Sequence, residues 1–153
     1  MSEQTYITLD LVTLEKTLFQ GKVKEIIAPT KSGEIAVLPN HIPLVTALQA
    51  GELKLKVNEG EGIYSPDMIF IAISGGFMEV KPDSVVNIIA DSALRVDEID
   101  EKKALEAKEK AEQLLREHAA GIARMSDQEF ARAAAQIERA AAQLKVFRRK
   151  RHK

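Results

Sequence analysis

Apolar and polar residues alternate with period two along Tyr6-Ile7-Thr8-Leu9-Asp10-Leu11-Val12, with Ile7, Leu9 and Leu11 on one side and Tyr6, Thr8 and Asp10 on the other. That is the pattern of a half-buried strand. It is cleaner in Gly51-Glu52-Leu53-Lys54-Leu55-Lys56-Val57, where Leu53, Leu55 and Val57 face inward and Glu52, Lys54 and Lys56 outward. Residues 68–74 and 84–90 are apolar enough to be central strands. Residues 33–38 predict another, closed by Pro39-Asn40, and Pro39 and Pro43 bracket a turn around His41, since proline cannot donate to a ladder. Turn signals at Gly21, Ser32-Gly33, Gly51, Glu59-Gly60, Pro66-Asp67, Gly75-Gly76 and Pro82-Asp83 recur roughly every eight to twelve residues, as in an antiparallel sandwich or barrel. No helix-length segment interrupts them, which argues against a parallel α/β sheet.

Near Asp91 the period changes to 3.6. Asp97 is placed to cap a helix, with Asp100 at the third position, and Ala104, Ala107, Ala111, Leu114 and Leu115 share one face of it. Gly121 is a stop signal. Ser126-Asp127-Gln128-Glu129 is a full capping-box pattern and opens a second helix, whose apolar face is Phe130, Ala133, Ala134, Ile137, Ala140, Ala141 and Leu144, continued by Phe147. The expected architecture is α+β: a β-sandwich over residues 1–90 and an antiparallel two-helix hairpin over 91–153. Both helical faces are dominated by alanine. Burial contributes roughly 25 cal/mol per Å² of apolar surface, so an alanine seam is weak and the hairpin is expected to open or exchange partners cheaply.

Composition narrows the chemistry. The chain has no cysteine, which excludes a disulfide scaffold, cysteine-ligated zinc, iron–sulfur clusters and thiol catalysis. The first ten residues carry Glu3 and Asp10 and lack the layout of a secretory signal; the longest apolar runs are too short to span a bilayer. The net charge of −1 is uneven: acids outnumber bases before Asp91, and from Lys145 onward come Arg148, Arg149, Lys150, Arg151 and Lys153 with no acid. The charge that attracts a partner sits at one tip.

Candidate catalytic motifs dissolve on inspection. Ser74-Gly75-Gly76 leads into another apolar strand segment, 77–81, rather than the helix a phosphate loop requires, and reads as a tight turn or bulge. His41, His118 and His152 lie too far apart in the pattern to form a metal pair; His118 is expected to be solvated near a helix end, and His41 is either an interface or a plain loop residue. Glu101, Glu106, Glu109 and Glu112 are interleaved with lysines and read as a solvated, salt-bridged face. The basic tail has several readings. Nucleic acid is disfavoured because stacking aromatics are missing, and membrane because Phe147 is a poor anchor. An acidic protein surface fits the line Arg132, Arg139 and Lys145, and a merely solvated tail is the bland alternative.

Three segments carry a family resemblance: Gly33-Glu34-Ile35-Ala36-Val37-Leu38-Pro39-Asn40-His41-Ile42-Pro43-Leu44-Val45, Ser74-Gly75-Gly76-Phe77-Met78-Glu79-Val80, and Ala90-Asp91-Ser92-Ala93 followed by Ile99-Asp100 and the Ala-rich helices. In this order and spacing the chain resembles the epsilon subunit of bacterial and chloroplast F-type ATP synthases, over nearly its whole length. The resemblance implies a sandwich of about ten strands followed by the helical hairpin. It implies a non-catalytic central-stalk subunit linking the gamma subunit to the c-ring, with Glu34, His41 and Pro43 in the region near both. The helices resemble an arm that lies on the sandwich or extends along gamma, where its second helix contacts acidic beta-subunit segments within the alpha and beta ring and blocks ATP hydrolysis. Arg132, Arg139, Lys145, Arg148 and Arg149 are the residues this assigns to the inhibitory contact. A subunit that only couples or braces the rotor is the alternative.

Some family members bind ATP on the folded arm through an Ile/Leu-Asp-x-x-Arg-Ala motif and later arginines. Here Ile99-Asp100-Glu101-Lys102-Lys103-Ala104 matches with Lys103 for the arginine, which loses the planar fork that suits phosphate. Leu94 and Gln143 depart from that pattern, whereas Arg139 matches. No cofactor is expected beyond weak ATP binding without turnover at Ile99, Asp100, Lys103, Ala104 and Arg139. The resemblance places the chain peripherally on the cytoplasmic face of a bacterial membrane, or the stromal face of a thylakoid, held by partners with no direct lipid anchoring and no nucleic acid.

Overall fold

The computed structural model describes residues 3–151. Eight strands form the sandwich: β1 (Ile7–Val12), β2 (Thr17–Val23), β3 (Glu25–Thr30), β4 (Gly33–Val37), β5 (Leu44–Lys56), β6 (Met68–Lys81), β7 (Val85–Ala90) and β8 (Ala93–Arg95). They pair in the order β2-β1-β7-β6-β5-β3-β4, with β8 on β6. Every pairing is antiparallel except β1 with β7, which is parallel in the register Leu9↔Val86 and Leu11↔Ile88.

The centre is the long hairpin of β5 and β6, paired without a break from Leu44↔Val80 to Lys56↔Met68. Gly51 and Gly75-Gly76, read from sequence as turns, lie inside these strands; splitting each strand there restores the expected number. The glycines serve close crossings instead. A Cβ at Gly51 would come within 2.9 Å of the Pro29 ring, and at Gly76, whose φ is +143°, within 2.2 Å of the Ile89 carbonyl oxygen. At this point β6 leaves β8, paired through Ile71 to Ile73, and joins β7 from Gly76 onward. The glycines thus let one strand serve two layers.

Alternation fixes what is inside. Ile7, Leu9 and Leu11 of β1 are fully buried, as are Leu53 and Leu55 of β5, Ile71 of β6, and Met78, Val86 and Ile88. The first half of β6 is buried on both faces, which explains its near-continuous apolar run. Its inner face meets the main core; its outer face, Phe70 and Ala72, forms a second cluster with Val96, Ile99 and Val146. The sheet therefore continues past Ala90, the edge expected from sequence, before the chain turns at a 3₁₀ segment, Val96–Glu98.

The two helices are α1 (Glu101–Ala119) and α2 (Asp127–Phe147). Asp100, not Asp97, caps α1, its carboxylate accepting the Lys103 amide at 3.1 Å. The chain at Asp97 is already committed to the 3₁₀ segment. Gly121, with φ +73°, follows the end of α1. The Ser126 capping box forms as read: the Glu129 amide donates to Ser126 Oγ and the Ser126 amide to Glu129 Oε2, each at 3.1 Å. Ala104 and Ala111 of α1, and Ala133 and Ala140 of α2, are buried. Ala107, Leu114 and Ala141 are exposed, and Phe130 lies 45% open beside the His118 ring. Leu144 is buried as read, and Ala142 and Val146 join it beyond the expected face, because α2 packs across β5 and β6 as well as against α1.

Candidate functional site

The arm is fastened where α2 runs into a short 3₁₀ segment, Arg148–Arg151. Arg149 donates from Nε to Glu52 Oε2 at 3.1 Å and from Nη2 to Glu52 Oε1 at 2.8 Å. Its guanidinium also lies over the Phe70 ring, 4.5 Å from the centroid. Glu52 points outward from β5, as alternation predicts, yet it is only 2% exposed because the arm covers it. A buried carboxylate is tolerated when a well-placed partner neutralises it, and the bidentate fork of arginine fits that demand. The bond to Glu52 raises the Arg149 pKa; burial opposes the rise, and the charges of Glu52 and Glu34 add to it. Around this bond, Arg151 donates to both carboxylate oxygens of Glu101 at 3.2 Å. Lys150 Nζ lies 5.9 Å from the centroids of both Tyr64 and Phe147. Sequence reasoning missed Glu52: period two assigns a residue to a face but does not reveal what covers that face.

A second set of ties holds the turn into the arm. Glu98 forms an ion pair with Lys16 and accepts the Arg95 amide at 2.9 Å, and the Arg95 guanidinium donates to the Leu18 carbonyl. Burial pushes the Glu98 carboxyl up, but the bonds from Lys16 and the Arg95 amide, with the charges of both residues, outweigh it and leave its pKa below the ordinary value.

Glu34 is exposed on β4, and both its oxygens lie 3.3 Å from Lys54 Nζ. His41 and Pro43 lie in the segment between β4 and β5, where the His41 Nδ1–H donates to the Ile42 carbonyl at 2.6 Å. Among the described residues no hydrogen bond or ion pair joins Glu34 to either. The segment is pinned by Asn40, whose amide donates to Ser84 Oγ at 2.7 Å and whose side chain exchanges bonds with the backbone of Gln4. Leu38 and Ile42 are left open to solvent beside it. Val45, Phe77 and Ile89 are also more than half exposed. Phe77 sits between Ala47 and Ile89 across β5, β6 and β7, so these residues form an apolar stripe on the outer face of the sheet.

Of the arm cations, Arg132, Arg139, Lys145 and Arg148 are exposed and form no ion pair among the described residues, whereas Arg149 is ion-paired to the sandwich. His152 and Lys153 lie outside the described residues. Lys103, Ala104 and Arg139 share a groove of about 250 Å³ between the helices with Gln136, Ala140 and Gln143. Arg139 also borders a cavity of about 270 Å³ that reaches Leu14, Lys16 and Leu94. The other two residues of the nucleotide motif stand apart: Ile99 is buried in the second apolar cluster and Asp100 caps α1.

A sandwich with an apolar outer stripe, joined to a helical hairpin fastened to it at its tip, defines a two-part subunit built to dock on partners. The chain belongs to the ATP synthase delta/epsilon family, among its epsilon chains: the model of the family's β-sandwich domain matches residues 6–96 and that of its long α-helix domain residues 97–148. An ATP synthase epsilon chain of Dehalococcoides mccartyi is 51% identical over 106 residues, 69% of this chain and 70% of that one. The corresponding chain of Herpetosiphon aurantiacus is 41% identical over 147 residues, 96% of this chain and 98% of that one. Among solved structures, a chain in the OSCP/F1/c-ring part of the Euglena gracilis mitochondrial ATP synthase superposes with a TM-score of 0.73 at 26% identity, covering 93% of this chain and 81% of its own. No helix among the described residues is long and apolar enough to cross a membrane.

Proposed function

We propose that this chain is a non-catalytic rotor subunit of a bacterial ATP synthase, peripheral on the cytoplasmic membrane face, that links gamma to the c-ring and restrains ATP hydrolysis when its arm extends. The observation that carries this is the contrast along α2. One cation, Arg149, is bonded to the sandwich, while Arg132, Arg139, Lys145 and Arg148 are exposed and form no ion pair among the described residues. An arm held to the sandwich by a small apolar contact around Val146 and one buried ion pair has a second state within reach, and its unpaired cations give an acidic partner, here the beta subunit, a reason to favour that state. The stripe of Val45, Phe77 and Ile89 supplies an apolar face for gamma, and Glu34, His41 and Pro43 the edge toward the c-ring.

The test is ATP hydrolysis by the reconstituted complex. A chain ending at Leu144 loses both the basic tip and the Arg149 bond. The double variant Lys145→Gln, Arg148→Gln loses exposed charge and keeps that bond. Both are expected to raise the hydrolysis rate. Unchanged rates with normal assembly would leave a subunit that couples the rotor without braking it.

The groove with Lys103 and Arg139 favours a second reading, weak ATP binding to the folded arm without turnover. With Asp100 used as a cap and lysine in place of the forked arginine, binding is expected only at millimolar ATP. Equilibrium dialysis that finds none at that concentration removes this reading.

A further inference from the structure

Four charged groups stand in line from the surface to the arm's fastening point. Lys54 Nζ is 3.3 Å from Glu34 and 4.0 Å from Glu52 Oε1, the oxygen that also accepts Arg149 Nη2 at 2.8 Å. Side-chain exposure falls from 45% at Glu34 through 19% at Lys54 to 0% at Glu52, and rises again to 38% at Arg149. Lys54 is therefore shared between an open carboxylate and a buried one. Screening is strong at the two open ends and weak at the buried Glu52, where Lys54 and Arg149 meet the same carboxylate, so a change in charge at Glu34 reaches Arg149 through that oxygen.

We propose that Glu34 is the outer end of a charge relay that sets the tail's hold on the sandwich. A cationic group of a partner that occupies Glu34 turns Lys54 toward Glu52, where it competes with Arg149 and loosens the arm. The proposal rests on the reading that the Glu34 edge meets other rotor parts, and it ties occupation of that edge to the position of the arm.

The signs follow from charge balance. With all four groups ionised the line is neutral. Neutralising Glu34 leaves a surplus positive charge that opposes Arg149; removing the Lys54 charge leaves a surplus negative one that favours it. Changing both restores the balance. A merely structural role for either side chain has no such opposed signs.

The chain lacks cysteine, so a single introduced thiol reports without background. Val146 is 0% exposed in the last turn of α2, on the side packed against Phe70 and Ala72, and Ile88 is 0% exposed in the sandwich core. In the full chain carrying Val146→Cys, the rate of alkylation by uncharged iodoacetamide reads the fraction of open arm, provided reclosing is fast; Ile88→Cys reads global unfolding. Glu34→Gln is expected to speed alkylation of Val146→Cys about three- to fivefold and Lys54→Met to slow it by a similar factor, the size of one screened unit charge. The pair together is expected to return the rate to within about twofold of the parent, and alkylation of Ile88→Cys to stay constant throughout. Equal rates, shifts of one sign, or parallel changes at both thiols overturn the relay. The relay is read in the isolated chain and the hydrolytic restraint in the complex, so either can fail while the other stands.

Discussion

Glu98 shows how one side chain ties the turn into the arm to the sandwich and gives that tie a pH window. Its carboxylate is paired with Lys16 and holds the Arg95 amide, and its pKa is lowered from 4.5. A group whose folded pKa is depressed adds stability that is present above its unfolded value and lost as pH falls through the folded one. The stability gap between the parent and Glu98→Gln, measured by denaturant unfolding, is therefore expected to be flat near neutral pH and to narrow below about pH 4.5. A gap that does not narrow there would show that the pairing contributes nothing to folding. Glu98 is 35% exposed in its side chain, so the gap is modest. Arg149 behaves differently. Its pKa is raised above the ordinary arginine value by the bond to Glu52, so its contribution is complete at every pH the fold tolerates, and the tail gains no switch from its own titration.

At the scale of elements, period two in β1 and the capping box of α2 locate their elements because each is set by neighbours in the chain. What local pattern cannot show is a strand crossing between layers. Gly51 and Gly75-Gly76 carry the same signal as a turn, yet β5 and β6 run through them, since close backbone approach needs glycine as much as a reversal does. The candidate site is legible to a similar degree. The basic residues of α2 are read from spacing alone, whereas Glu52, Phe70 and the stripe through Phe77 become visible only when strands distant in sequence pair. Gly76→Ala tests the crossing. The methyl group meets the Ile89 carbonyl at 2.2 Å with φ held at +143°. A loss of about 3 kcal/mol or more in unfolding free energy is expected, the range of a strained and crowded backbone site. A loss below about 1 kcal/mol would mean that β6 passes the corner without needing glycine.

For the whole molecule, the decisive contrast is between a sandwich with a continuous aliphatic core and an arm attached by much less. The sandwich buries isoleucine, leucine and valine from nearly every strand. The hairpin seam is built from Ala104, Ala111, Ala133 and Ala140, and its grip on the sandwich is concentrated in Val146, Leu144 and the bond between Arg149 and Glu52. Lifting the arm exposes the small cluster of Phe70, Ala72, Val96, Ile99 and Val146 and leaves the sandwich core intact, so it forfeits far less apolar burial than unfolding the sandwich. Two levels of amide protection are therefore expected in native-state hydrogen exchange. β1, β6 and β7 should exchange only through global unfolding, and α1 and α2 through a cheaper opening that charge changes at Glu52 or Arg149 accelerate. Matching protection in α2 and β6 would make sandwich and arm one cooperative unit, with no separate open state for a partner to select. Distinct protection would leave the arm free to respond to whatever docks on the sandwich, which is what the proposed restraint of hydrolysis requires.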